Sequence, residues 1–332
     1  MNRLTFSFCR RELETQVIFT DDVPAEAEKP DMLLVDSTVW EFHSRRFPDC
    51  THVVQLSGGE ISKTPETLFF LWQKMSEAGL RRDSTVMVAG GGTVCDIGAF
   101  AVSTWKRGVD LQMVPTTLLC MVDACLGGKT AVNLDAGKNQ AGTFYPASVI
   151  FADTAFLATL PEREMKCGIA EALKTSVIAG REISDLILKG ETDEAVRMCM
   201  QAKGDIVSRD LEESGERKLL NLGHTTGHCI EAITSFQVPH GQAVAMGIPV
   251  AARMGGSFAF AEEFISVARK LGIDTSLPEA ISTDLILKLL NTDKKTTAEG
   301  RTWIFPKTWG NCVQRVLSAA EEEELLRQAL EL

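Results

Sequence analysis

The sequence has no Cys-x-x-Cys pair, although nine cysteines are scattered along its 332 residues. An odd, unpatterned set argues against a disulfide scaffold and fits reduced, mostly buried thiols in a cytoplasmic protein. Long apolar runs are also missing. The least charged stretch, Gly241 to Ala252, is too short to span a bilayer and carries Gly241, Gln242, Gly247 and Pro249. Met1 to Arg11 lacks the apolar centre of a signal peptide. Positive charge is in deficit: 34 Lys and Arg stand against 45 Asp and Glu, a net charge of −11, which disfavours nucleic acid and anionic membranes as partners. No repeat or low-complexity tract is visible. The acidic run Glu321 to Glu324 reads as a solvated helix face.

What is present is ordinary globular composition, 45% apolar and 24% charged, in a chain long enough to predict two domains. Short apolar runs at Met32–Val35, Val53–Leu56, Thr85–Ala89, Leu111–Val114 and Val149–Phe151 read as buried strands. Helical periodicity covers Thr64–Ala78 and Asp96–Ser103. Strands alternating with helices predict a parallel, Rossmann-like sheet over residues 1–158. From Leu160 the texture becomes helical: Glu162–Ile178, Thr192–Leu211, Leu219–Ile233, Gln242–Met254, Ala261–Leu271, Ser282–Leu290 and Ala319–Leu330, with Thr302–Phe305 the one late strand. Residues 159–332 therefore read as an all-helical second domain. A cleft between the two is the expected ligand site.

Four motifs carry chemistry. Arg217, Asn221, His224 and His228 are spaced +4, +3, +4, which would form one stripe on a helix, and His240 follows. Gly223 and Gly227 cost about 1 kcal/mol each in a helix, so something must approach its backbone closely. His-x-x-x-His with a third histidine points to a metal or anion site. Gly90-Gly91-Gly92 lies between a strand and a helix, where backbone amides cradle a pyrophosphate; Cys95 holds the third glycine position of a Gly-x-Gly-x-x-Gly. Gly127-Gly128-Lys129-Thr130 mimics a P-loop, but Asp123 stands where a glycine is required, so Walker A is rejected. Asp123, Lys129, Lys138 and Asn139 still outline a polar pocket for phosphate or carboxylate. Glu171 and Lys174, three apart on one helix, are either an exposed ion pair or part of the cleft. Lys203, Lys294 and Lys295 taken singly read as solvated lysines.

With these residues in hand, the chain resembles the sugar phosphate cyclases, in particular the 3-dehydroquinate synthase family. The likeness runs from about Asp36 to Phe305 and is densest at 90–100, 106–139, 160–174 and 217–232, with the later Pro-His-Gly. The resemblance implies a dehydroquinate synthase-like fold, a homodimer, a bound NAD that is regenerated, and a divalent metal, zinc or cobalt. It implies conversion of 3-deoxy-D-arabino-heptulosonate 7-phosphate, a phosphorylated seven-carbon sugar acid, to 3-dehydroquinate and phosphate in the shikimate pathway. Glu171, His224 and His240 would be the metal ligands. NAD would contact Asp36, Glu60, Lys63, Gly91, Gly92, Asp96, Thr116, Thr117, Leu119, Asp123, Lys129, Lys138 and Thr159. Substrate would contact Asp123, Lys129, Asn139, Lys174, Lys203, Arg217, Asn221, His228 and one or both of Lys294 and Lys295, with Arg107 reaching the phosphate, from its own or a partner subunit.

The chain departs from the family pattern at Thr38, where Asn is common, at Cys95, at Tyr145-Pro146-Ala147, and at Gln242, where a Glu is usual. That Glu would stand behind His240. Retained Asn221 and His228 favour dehydroquinate synthesis over other cyclitols. The rival readings are a metal-dependent polyol or glycerol phosphate dehydrogenase, which shares the two-domain plan, and a non-catalytic homologue, for which only Gln242 speaks.

Overall fold

The structure is a computed structural model that describes residues 13–135, 137–292 and 300–330. Its strands are β1 (Gln16–Phe19), β2 (Met32–Asp36), β3 (His52–Leu56), β4 (Thr85–Gly90), β5 (Asp110–Pro115), β6 (Lys129–Leu134), β7 (Gly137–Phe144), β8 (Val149–Ala152), β9 (Arg301–Thr308) and β10 (Asn311–Leu317). Its helices are α1 (Val23–Glu26), α2 (Ser37–His43), α3 (Pro65–Glu77), α4 (Gly92–Thr104), α5 (Glu162–Ala179), α6 (Glu182–Lys189), α7 (Thr192–Arg209), α8 (His224–Ile233), α9 (His240–Met254), α10 (Phe258–Lys270), α11 (Thr283–Thr292) and α12 (Ala319–Leu330).

Six strands form a parallel sheet in the order β1-β8-β5-β4-β2-β3. Leu33, Leu34, Val35, Val86, Met87 and Val88 are fully buried, because helices cover both faces and every side chain of a central strand then meets protein. Each such side chain contributes about 1.5–3 kcal/mol. The chain leaves β2 to one side, for β3, and returns to the other, for β4. The carboxyl ends of β2 and β4 thus splay apart at a topological switch, the place where open sheets bind ligands. Asp36 and Gly90-Gly91-Gly92 sit there. The polar hairpin β6–β7 is antiparallel and stands off this sheet, anchored by the Asn133 amide, which donates to the Lys63 carbonyl at 2.8 Å.

The helical part is built on α9, buried over nearly its whole length from Gly241 to Met254. Helices α5, α8 and α10 pack around it. The helix expected over Leu219–Ile233 is not continuous. A 3-10 segment, Glu216–Asn221, ends at an extended Leu222; Gly223, at φ +77°, starts α8 afresh. Both glycines of that stretch do meet a close neighbour. A Cβ on Gly223 would lie 2.5 Å from the Val244 carbonyl oxygen, and one on Gly227 3.1 Å from that of Ala243.

Two further expectations change. Thr302–Phe305 is not a lone strand: β9 pairs antiparallel with β10, so the helical region carries a two-stranded ribbon. Nor is the acidic run uniformly solvated. Glu322 is buried, accepts from Arg301 Nε at 3.0 Å and Trp303 Nε1 at 2.6 Å, and ties α12 to β9. No helix among the described residues is long and apolar enough to cross a membrane.

Candidate functional site

Helices α5, α8 and α9 converge on a cluster of one carboxylate and three imidazoles. Glu171 on α5 is buried at 1% exposure, and its Oε1 lies 3.4 Å from His240 Nε2 and 3.9 Å from His224 Nε2. The ligand atoms of Glu171, His224 and His240 all fall within 4.8 Å of one another. Neither oxygen of Glu171 has a well-aligned hydrogen bond, although Lys174 Nζ stands 2.6 Å from Oε2. A buried carboxylate facing two imidazole nitrogens without proton donors in line is what a divalent cation would satisfy. Burial, then the Lys174 ammonium and the other two imidazoles, hold His224 well below its ordinary pKa, so it presents a neutral nitrogen. Burial also presses His240 down, but the hydrogen bond it donates to Glu231 and the charge of Glu171 outweigh burial and raise its pKa.

His228, one turn beyond His224, is exposed, and its ring centroid lies 5.4 Å from that of His224 and 5.9 Å from that of His240. The four residues read as one helical stripe are divided between two elements: Arg217 and Asn221 lie on the 3-10 segment, and His224 and His228 lie on α8 beyond the left-handed Gly223.

Beside this cluster lies an ionic one. Asp123 takes Lys174 Nζ on Oδ2 at 2.9 Å and Lys203 Nζ on Oδ1. Burial opposes charge on Asp123, yet the two ammonium groups hold its carboxyl well below the usual range. Lys174 is likewise raised, since Asp123 and Glu171 overcome its burial. The alternative of an exposed Glu171–Lys174 pair is therefore excluded: both side chains are 1% exposed. Arg217 is buried and donates to the carbonyls of Gly127 at 3.0 Å and of Leu211. Lys129 opens β6, half exposed, and pairs with Glu213.

At the switch point Asp36 accepts from the amides of Thr38 (2.8 Å) and Val39 (3.2 Å), capping α2. Gly91 caps α4 with no side chain, leaving the first-turn amides without a side-chain acceptor. Thr116, buried at the end of β5, has an unpartnered hydroxyl, and Thr117 packs against Gly91. Leu119, half buried, follows. Lys63, 4% exposed, donates to Asp96 on α4 and to Asn139 at 2.5 Å. Glu60 accepts from Asn133 at 2.7 Å.

Three further residues make no side-chain hydrogen bond to this constellation, although Lys138 stands near enough to Glu231 to lower its pKa. Thr159 bonds His43 at 2.6 Å on the far side of α2. Lys138 lies over the Phe236 ring, 4.1 Å from its centroid, and so bridges the hairpin to the loop before His240. Arg107, exposed, makes no hydrogen bond or ion pair among the described residues. Lys294 and Lys295 lie outside the described residues.

Two acidic residues escaped the sequence reading. Glu231 Oε2 is 3.3 Å from His240 Nδ1, the position expected of residue 242; the Gln242 side chain makes no hydrogen bond among the described residues. The signal was available, since Glu231 lies three residues, one helical turn, after His228. Glu213 holds both Lys129 and Asn221. It sits in an irregular loop at φ +61°, which no periodicity marks.

Comparison with known proteins gives a consistent result. The family model for the N-terminal part of 3-dehydroquinate synthase matches residues 53–167, and that for its C-terminal part residues 168–296. The chain is 36% identical over 315 residues to the 3-dehydroquinate synthase of Alkaliphilus metalliredigens, covering 88% of this chain and 87% of that protein. It is 38% identical over 285 residues to that of Thermococcus kodakarensis, with 84% and 80% covered. Among solved structures, ValA, the 2-epi-5-epi-valiolone synthase of Streptomyces hygroscopicus subsp. jinggangensis with NAD+ and Zn2+ bound, superimposes with TM-score 0.87 at 24% identity, covering 98% of this chain and 99% of that one. The glycerol dehydrogenase of Schizosaccharomyces pombe gives 0.67 at 18% identity, covering 98% and 92%.

Proposed function

Because the chain belongs to the 3-dehydroquinate synthase family, we propose that it converts 3-deoxy-D-arabino-heptulosonate 7-phosphate to 3-dehydroquinate and phosphate, as a phosphate-eliminating lyase with no net redox change. The observation that carries this reading is the Glu171, His224 and His240 cluster set against Asp123, Lys174, Lys203, Lys129 and Arg217. Glu171, His224 and His240 would hold a zinc or cobalt ion, which supplies Lewis acidity toward a substrate hydroxyl, and Asp36, Gly91, Gly92, Thr116 and Thr117 would hold NAD, which takes up hydride and returns it.

The chain's own residues do the rest. Lys129, Asn139 and His228 hold the phosphate, and Lys203 and Arg217 anchor the carboxylate and developing oxyanions. Asp123, kept ionised by its two lysines, orients both ammonium groups toward the cleft. Asn221, braced by Glu213, fixes the substrate's hydroxyl face. Arg107, whose side chain has no partner among the described residues, would reach the phosphate of a second subunit in a homodimer. The eight described cysteines are free thiols, which supports a cytoplasmic location.

A simple dehydrogenase shares the fold but has little use for so many cations. The non-catalytic reading loses its support, since Glu231 stands where Gln242 cannot act. The test is to follow phosphate release from the seven-carbon substrate, with NAD and zinc, together with NADH absorbance. Phosphate without accumulating NADH is the expected result. NADH accumulating without phosphate would point to the dehydrogenase, and neither signal would defeat both.

A further inference from the structure

The loop between α7 and the 3-10 segment is tied by a single carboxylate. Asp210 Oδ1 accepts from the Ser214 amide at 2.9 Å and its hydroxyl at 3.1 Å; Oδ2 accepts from the amides of Gly215 at 2.8 Å and Arg217 at 2.9 Å. Three backbone donors thus point at one side chain that lies outside the cleft. Inside this ring of bonds sits Glu213, in the left-handed region at φ +61°, a conformation that a non-glycine residue holds only when its surroundings impose it. Its two oxygens carry Lys129 and Asn221. The last donor, Arg217, is the buried guanidinium that rests on the Gly127 carbonyl.

We propose that Asp210 is a positioning residue for the reaction: by gathering the amides of residues 214–217 it holds Glu213 in its left-handed turn, and through Glu213 and Arg217 it sets the places of Lys129 and Asn221. The assignment rests on the reading of those residues as substrate contacts. The carboxyl is suited to the task. Although desolvation pushes it up, the amides of Arg217, Gly215 and Ser214 hold its pKa at about 2, so it stays ionised through the neutral range. Arg209, which forks onto Glu216, and Gln314, which donates to the Gly215 carbonyl at 3.3 Å, hold the rim of the loop but touch neither Glu213 nor the Arg217 amide.

The experiment uses the full chain with NAD and zinc, and the variants Asp210→Ala, Asp210→Asn, Glu213→Gln and Asp210→Ala with Glu213→Gln. Asp210→Ala is expected to lower kcat by about 10- to 100-fold with NAD retention unchanged, the scale of a misplaced positioning group. Asp210→Asn, which keeps one acceptor oxygen, recovers part of the loss and serves if the alanine variant does not fold. In the Glu213→Gln background, Asp210→Ala should cost several-fold less than in the unsubstituted chain, because its route through Glu213 is already cut and only that through Arg217 is left. An equal cost in both backgrounds would reduce Asp210 to a general structural role and overturn the proposal. Hydrogen exchange at the Ser214, Gly215 and Arg217 amides gives a readout free of turnover. Faster exchange in Asp210→Ala is expected, and unchanged exchange overturns the proposal even if the unsubstituted protein releases no phosphate, an outcome that would instead sink the functional reading.

Discussion

At His240 the ring is held between two carboxylates, Glu231 at Nδ1 and Glu171 near Nε2. When the ring is neutral, donation from Nδ1 to Glu231 leaves Nε2 unprotonated and facing Glu171, so Glu231 favours the tautomer a metal requires. Glu231→Gln is expected to weaken zinc binding about 10- to 100-fold while leaving the fold intact, and to regain turnover in excess zinc. Zinc content after dialysis, unchanged from the unsubstituted protein, would remove Glu231 from this role. Lys129 presents the complementary case. It is held only by Glu213 and is half exposed, so Lys129→Ala should fold and retain NAD yet lose turnover by about 100-fold or more, the scale of a lost charge-stabilising donor. Normal kcat would take Lys129 out of the site.

Among the elements, legibility followed burial. Strands β2, β4 and β5 were readable because a parallel strand covered on both faces is an unbroken apolar run, as Met32–Val35 is. Strands β6, β7 and β10 were not. Their exposed faces interleave Asn, Gln, Lys and Arg, and β10 alternates in exposure over Asn311–Leu317. The site itself was legible as residue types at fixed spacing. What was not legible was how they meet, because the break at Leu222-Gly223 answers to α9, which lies far away in sequence.

That contact can be tested. A Cβ on Gly247 would stand 2.1 Å from the Gly223 carbonyl oxygen, so Gly247→Ala must push α9 from α8, and with it His240 from His224. We expect a loss of about 3 kcal/mol, the upper end for overpacking, together with loss of zinc, read from urea unfolding and metal content. Gly204→Ala, in α7, meets only Leu126 at 3.6 Å and should instead stabilise by about 0.5–1 kcal/mol; destabilisation there would mean the α7 packing is tighter than described. Where α12 meets β9, Glu322→Ala removes the acceptor that Arg301 Nε and Trp303 Nε1 share, and we expect a cost of about 1–3 kcal/mol in the same assay. A wild-type midpoint would show that the pair is dispensable.

Over the whole molecule, charge is divided unevenly. The chain carries −11 overall, yet Lys129, Lys174, Lys203 and Arg217 are gathered in one region, which we read as the substrate site. An anionic substrate is repelled by the surface at large and attracted at one place, which focuses its approach. We expect kcat/KM to fall several-fold between about 20 mM and about 300 mM salt, as the screening length shrinks. A flat response would show that the cations act only after contact. The order of the sheet has a consequence in time. Among the described residues strand β1 pairs only with β8, Gln16 against Val149, and β8 is itself wedged between β1 and β5. On a ribosome, β1 therefore emerges on the order of ten seconds before its partner exists. The strand that leads the described chain is the last of the six to find its place, and the nascent protein must carry it unpaired while the rest of the sheet assembles.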